Sequence, residues 1–181
     1  MPPRADPPAA GAPPRRARVR VDPLTAADEA EFVAAAGASR ALHAPWTSAP
    51  QDGAAFRERL AYLQREGNHG FALRRLDSGA LVGSVALTNV VRGVFLSGYL
   101  GYYAFAGHEG QGLMGEGLRR VVRFAFDELG LHRLEANIQP GNAASIALVR
   151  ACGFAREGYS PRYLKIGGRW RDHERWARLA S

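Results

Sequence analysis

Gly110-Gln111-Gly112-Leu113-Met114-Gly115-Glu116-Gly117 restricts this chain more than any other stretch, because it sits where one hydrophobic period gives way to another. Before it, residues 70 to 105 fall into segments with the period of two that strands require. After it, Met114, Leu118, Val121, Val122, Ala125 and Leu129 return at helical spacing, with Arg119, Arg120 and Arg123 on the opposite side. A chain passing from strand to helix through glycines can turn several backbone N–H groups onto one point. The helix's unpaired first amides and positive dipole end add to that field. The loop reads as a cradle for the diphosphate of a nucleotide-like ligand; glycines that serve only a tight turn are the competing account.

Gly110-x-Gly112-x-x-Gly115 also spells a dinucleotide fingerprint, with Glu135 as a later acid. That site needs a short turn directly after a buried parallel strand, an acid at the end of the next strand, and further strand-helix-strand units. Here Ala106-Gly107-His108-Glu109 separate the strand end near Phe105 from Gly110. Glu135 lies inside its strand, with Ala136, Asn137 and Ile138 after it, and one helix and a hairpin follow. This context favours an acyl-CoA over NAD.

A length of 181 residues fits one domain with a sizeable core, and a 46% hydrophobic fraction suits a globular protein. The lone Cys152 excludes an internal disulfide framework and a zinc cluster, and no metal is expected. No apolar run approaches the ~18 residues of a membrane span, so the expectation is a cytoplasmic protein with no membrane partner. Residues 1 to 18, rich in Pro, Ala and Arg, are expected to be a disordered tail, with the domain over 19–181. The formal charge of +7 draws heavily on Arg4, Arg15, Arg16, Arg18 and Arg20, against Asp6 alone in that segment. Such a balance suits a polyanionic cofactor or an encounter with ribosomal RNA, and a solvated arginine tail explains it equally well.

Val19 to Leu24 has a short strand pattern, and Thr25 with Asp28 and Glu29 opens a helix carrying Phe32, Val33 and Ala36. A helical segment around Ser39 to Leu42 stops at Pro45-Trp46, and another runs from about Asp52 to Glu66 with Phe56, Leu60 and Leu63 on one stripe. Residues 70–76, 80–90 and 94–105 read as an antiparallel meander. Beyond the glycine-led helix, which ends at Gly130, come a strand over Leu131 to Ile138, a helix capped by Asn142, and a hairpin of Phe154 to Ile166 with Arg169 to Leu179. The sum is an α/β fold, a mixed sheet with helices on both faces.

That order resembles the GCN5-related N-acetyltransferase (GNAT) fold. Asn89-Val90-Val91-Arg92-Gly93, Tyr99-Leu100-Gly101-Tyr102, Gly110-x-Gly112-Leu113-Met114, Gly153-Phe154-x-x-Glu157-Gly158 and Trp170-Arg171-Asp172-His173 are similar to its RimJ/RimL branch, the ribosomal-protein-alanine N-acetyltransferases above all. The resemblance implies acetyl-CoA as co-substrate and a central sheet whose middle strands splay. It implies Gly110, Gln111, Gly112, Leu113, Met114 and Gly115 as backbone donors to the diphosphate, with Tyr102, Asn137, Asn142 and Ser145 as further cofactor contacts. Glu109 stands where the family usually has Gln or Arg; a carboxylate there repels a diphosphate unless it turns away.

On the same resemblance, an amide exposed around Tyr102 to Phe105, assigned to Tyr103, stabilises the oxyanion. Ser145 hydrogen-bonds or protonates the departing thiolate. Trp46, Asn89, Tyr163, Asp172 and His173 wall the acceptor site. Some relatives carry a carboxylate before the tyrosine of the penultimate strand, but Arg162 occupies that place, and Glu116 is the remaining candidate base, with a helix-dipole role as its alternative. An α-amine of pKa about 8 is roughly a tenth neutral at pH 7, against well under ~0.1% for a lysine, so a protein N-terminus makes the smaller demand on a base. Expected partners are acetyl-CoA and a protein N-terminus or small amine, with ribosome association and a monomeric or homodimeric state both open. A small-molecule acetyltransferase and a non-catalytic CoA- or ribosome-binding module are the rival readings.

Overall fold

The computed structural model describes residues 17–44 and 46–181, so the expected tail lies outside them apart from Ala17 and Arg18. Arg18 is already tied to the folded body, because its backbone N–H donates to Glu116 Oε1 at 2.7 Å. Seven strands form one sheet in the order β1-β2-β3-β4-β5-β7-β6: β1 Val19–Pro23, β2 His69–Arg75, β3 Leu81–Val91, β4 Ser97–Ala104, β5 Arg133–Ile138, β6 Ala155–Ile166 and β7 Arg169–Leu179.

Strand alternation builds two cores. Phe71, Leu73, Val85, Leu87 and Leu134 face α4 (Leu113–Arg123) and α5 (Ala143–Ala151), while Ala72 and Ala86 face α1 (Glu29–Ala38) and α3 (Gly53–Leu63). A short helix, α2 (Arg40–His43), follows α1.

Local chemistry starts these helices where the sequence places them. The Asp28 carboxylate accepts from both the N–H and the O–H of Thr25, and Asp52 Oδ1 accepts from the Ala55 N–H. Helix α4 packs on β2 so closely that a β-carbon at Gly117 would lie 2.1 Å from Leu73 Cδ2. Its continuation, Phe124–Glu128, widens into a π turn closed by the Leu129 N–H on the Phe124 carbonyl, where the periodicity predicts an unbroken α-helix.

The meander β1-β2-β3-β4 is antiparallel, as the turn signals predict, and β5, β7 and β6 form the second antiparallel half. The halves meet only along Ser97↔Arg133, Gly98↔Leu134 and Tyr99↔Glu135, in parallel. Past Tyr99, β4 runs on to Ala104 and β5 to Ile138 paired to β3 and β7 but not to each other, so the middle strands splay toward their C-terminal ends.

Candidate active site

The register of β4 decides which groups face the splay. The Phe105 N–H bonds the Val82 carbonyl on β3, and in an antiparallel ladder the pattern repeats every second residue, so the Tyr103 amide also belongs to β3. Tyr102 and Ala104 therefore turn their peptide groups into the gap. The Tyr103 amide, expected from sequence to stabilise the oxyanion, therefore does not face the gap. The Tyr103 ring lies on the α1 side instead, edge-on to Phe32 and 5.6 Å from the His43 ring.

Two side-chain bridges span the gap, one on each face. On the α1 side, His43 at the end of α2 donates from Nε2 to the Ala104 carbonyl at 2.8 Å, and the Trp46 carbonyl accepts from Gln139 Nε2, just past β5, at 2.8 Å. Residues 43 and 46 thus tie the open ends of both strands. The His43 bond to a carbonyl needs a hydrogen on Nε2, while Nδ1 is buried with no partner among the described residues. On the α5 side, the Tyr102 hydroxyl lies 2.5 Å from Ser145 Oγ. Burial pushes the Tyr102 phenol up to about 12, which the contact with Ser145 offsets only in part. Asn142 Oδ1 accepts from the Ser145 N–H at 3.1 Å and caps α5, as predicted.

The glycine loop closes the same end of the sheet. Gly107, Gly110 and Gly112 all have positive φ, and Gly112 is the N-cap of α4 at φ 74°, with no side chain capping the helix. The first amides of α4 are thus without a side-chain cap among the described residues. A β-carbon at Gly110 would meet nothing within 4 Å. From behind, Arg18 donates to the Gln111 carbonyl and Arg75 to Gln111 Oε1, both at 3.1 Å. Glu109 folds back so that its Oε2 accepts from the Gly107 N–H at 2.7 Å. Loop amides, its own first and then those of Gly107 and His108, hold its carboxyl below the usual glutamate range.

Glu116 is turned away from the gap, which removes it as a base. Its Oε1 accepts from the backbone N–H of Arg18 and Val19, at 2.7 and 3.0 Å, so it anchors the start of β1. Burial works to raise this carboxyl, but those amides and the charges of Arg18 and Arg120 outweigh it and hold the group below its ordinary range.

Asp172 is occupied as well, accepting from the Tyr159 hydroxyl and from the Arg162 N–H, the latter at 2.7 Å, which steadies Arg162 at φ 48°. His173 is buried at 3% exposure and donates from Nδ1 to the Arg171 carbonyl; burial pulls its imidazole below the usual histidine range. Tyr163 packs edge-on against it. Asn89 sits at a β3 irregularity with φ 52°, its Oδ1 3.4 Å from the Tyr62 hydroxyl on α3. Asn137 pairs with Arg175 of β7 on a stretch of β5 that β4 no longer joins, and its Oδ1 is buried with no partner among the described residues.

A cleft of about 280 Å³ opens beside this end of the sheet, lined by Trp46, Gln139, Pro140, Gly141, Trp170, Arg171 and Asp172. Of the residues gathered at this end of the sheet, the sequence singled out Trp46 and Asp172 as site residues but not His43, Gln139, Ala104, Trp170 or Arg171. A histidine three residues before Trp46 carries no periodic signal, and Gln139 reads only as the residue before a Pro-Gly turn. Among the described residues, no group of three His, Cys, Asp or Glu side chains could hold a metal ion, and no helix is long and apolar enough to cross a membrane.

Comparison with known proteins matches residues 18–155 to the family described as acetyltransferase (GNAT) domain. A probable N-acetyltransferase, YjcK, of Bacillus subtilis is 36% identical over 112 residues, 62% of each chain. The [ribosomal protein uS5]-alanine N-acetyltransferase of Escherichia coli is 41% identical over 103 residues, 57% of this chain and 53% of that enzyme. The chain therefore spans between about half and two thirds of these relatives' lengths. Among solved structures, Mycobacterium smegmatis RimJ in complex with CoA-disulfide superposes with a TM-score of 0.82 at 26% identity, over 90% of this chain and 82% of that one.

Proposed function

Because the chain belongs to the GNAT acetyltransferase family, we propose that it transfers the acetyl group of acetyl-CoA to the α-amine of a protein N-terminus, an alanine-headed ribosomal protein first among them. The residues present fit that co-substrate. The uncapped first turn of α4, behind Gly110 and Gly112, offers amides for a diphosphate, and Arg18 and Arg75 add positive charge at the back of the loop. Acetyl-CoA supplies the activated acyl group. In this reading Tyr102 and Ala104 present amides to the charge that develops on the acyl oxygen, and Ser145 stands near the departing sulfur. The α-amine is partly neutral near pH 7, so orientation between the strap at residues 43 and 46 and the strands carries much of the catalysis.

The observation that carries the choice of acceptor is the charge of the cleft beside the gap. Arg171 lines it with Nε buried and unpaired, and its one carboxylate, Asp172, is already held by Tyr159 and Arg162. A polyamine needs free acids along its length, which this cleft does not offer. A peptide chain brings carbonyls to the guanidinium and aliphatic surface to Trp46 and Trp170. The test is release of free thiol from acetyl-CoA with an alanine-headed peptide and, separately, with spermidine. Turnover with the peptide alone is expected, and turnover with spermidine alone would reverse the assignment.

A further inference from the structure

Tyr102 and Ser145 stand 43 positions apart in sequence, yet their hydroxyl oxygens are 2.5 Å from each other across the splay. Each hydroxyl has one hydrogen and two lone pairs, and among the described residues neither makes another side-chain hydrogen bond. One contact uses one hydrogen, so the pair holds one in reserve. A phenol is the stronger donor and an alkanol oxygen the better acceptor, so the bond runs from Tyr102 to Ser145 and the spare hydrogen is on Ser145. Ser145 lies in the first turn of α5, its N–H fixed by Asn142, where the positive end of the helix favours a developing anion.

We propose that Tyr102 is a positioning residue for the leaving group: by donating to Ser145 Oγ it commits the Ser145 hydrogen to the sulfur of CoA as the C–S bond breaks. The electron pair of that bond goes to sulfur, the two hydroxyls stabilise the thiolate in series, and the thiolate takes its proton from solvent. No proton moves along the pair. The desolvated phenol stays protonated across the working pH range, so it remains a donor throughout. A donor polarised by a second donor binds an anion more strongly than it does alone. The titratable groups beside the pair are Cys152, whose thiol burial pushes up, and Arg119, 3.9 Å from Cys152 Sγ. Subtraction of the CoA-free protein at each pH removes the Cys152 contribution, so the remaining change reports on the CoA thiol.

The inference rests on the acetyl-CoA part of the proposed function and not on the acceptor, and its test is arranged accordingly. The thiol of bound CoA is titrated by thiolate absorbance in the protein–CoA complex, each spectrum differenced against CoA-free protein at the same pH. Relative to wild type, Tyr102→Phe should raise the bound thiol's pKa by about one unit and Ser145→Ala by about one to two. The double variant should match Ser145→Ala, because Tyr102 acts only through Ser145. CoA affinity and thermal stability are measured alongside, so that the thiol of each variant is titrated in folded protein at saturating CoA. An unchanged thiol pKa in Tyr102→Phe, or a full additional shift in the double variant, would overturn the proposal. If spermidine is acetylated and the peptide is not, the acceptor reading is lost while the titration still judges Tyr102.

Discussion

His43→Ala should weaken the whole open end of the sheet, and the structure sets the size of the effect. The imidazole is 6% exposed, donates from Nε2 to the Ala104 carbonyl at 2.8 Å, and packs 5.6 Å from the Tyr103 ring and 6.1 Å from that of Phe105. Truncation leaves a buried carbonyl without its donor, about 1–3 kcal/mol, and opens a cavity in an aromatic cluster. The combined loss is about 2–4 kcal/mol, which for a chain of this size lowers Tm by roughly 4–16 °C. His43→Gln places an amide N–H near the position of Nε2 and should recover more than half of that loss. Thermal and urea unfolding of the three proteins measure it, with acyl transfer assayed on the same samples, where His43→Ala should fall further than His43→Gln. A loss under about 1 kcal/mol for His43→Ala, or equal losses for both variants, refutes the idea that this bond ties β4 to the strap.

Three further outcomes follow from single contacts. Gly117→Ala puts a methyl group 2.1 Å from Leu73 Cδ2 in the α4–β2 contact and should cost about 1–3 kcal/mol, seen as a lower urea midpoint with no change in the slope. Asn142→Ala removes the α5 cap and frees the Ser145 N–H, so stability should drop by about 1 kcal/mol and acyl transfer should fall with it; full activity at lowered stability would separate the cap from the site. Glu116 has a folded pKa below its unfolded value of about 4.3, so its contribution is complete above that pH and is lost as pH falls through the folded value. In acid unfolding curves Glu116→Gln should therefore be less stable than wild type near neutrality and converge with it as pH falls through the folded value, whereas a difference that stays constant through the acid transition would contradict the assigned hydrogen bonds.

Most of the scaffold was legible because it is written in local chemistry. The period-two runs became β2, β3 and β4, Asp52 and Asn142 capped their helices, and Gly130 ended the glycine-led helix with a positive φ. The turn of the glycine loop into α4 was legible because Gly110 and Gly112 take positive φ, which few other residues adopt. What the sequence concealed was long-range. Glu116 looks like a first-turn acid in any sequence window, and only the return of Arg18 and Val19, 98 and 97 positions away, shows what it binds. Tyr103 and Tyr102 are indistinguishable in sequence, and the β3 register, which no local pattern encodes, decides which amide faces the gap. Likewise Asp172 suits an acceptor groove until Tyr159 and Arg162 are seen to hold it.

The account turns on which nitrogen receives the acetyl group. A peptide with a free alanine N-terminus and one internal lysine, incubated with acetyl-CoA and the enzyme, answers this by tandem mass spectrometry of the product. A single acetyl group on the α-nitrogen, with the lysine unmodified, is the predicted result; acetylation of the lysine with the α-amine left free would contradict the account.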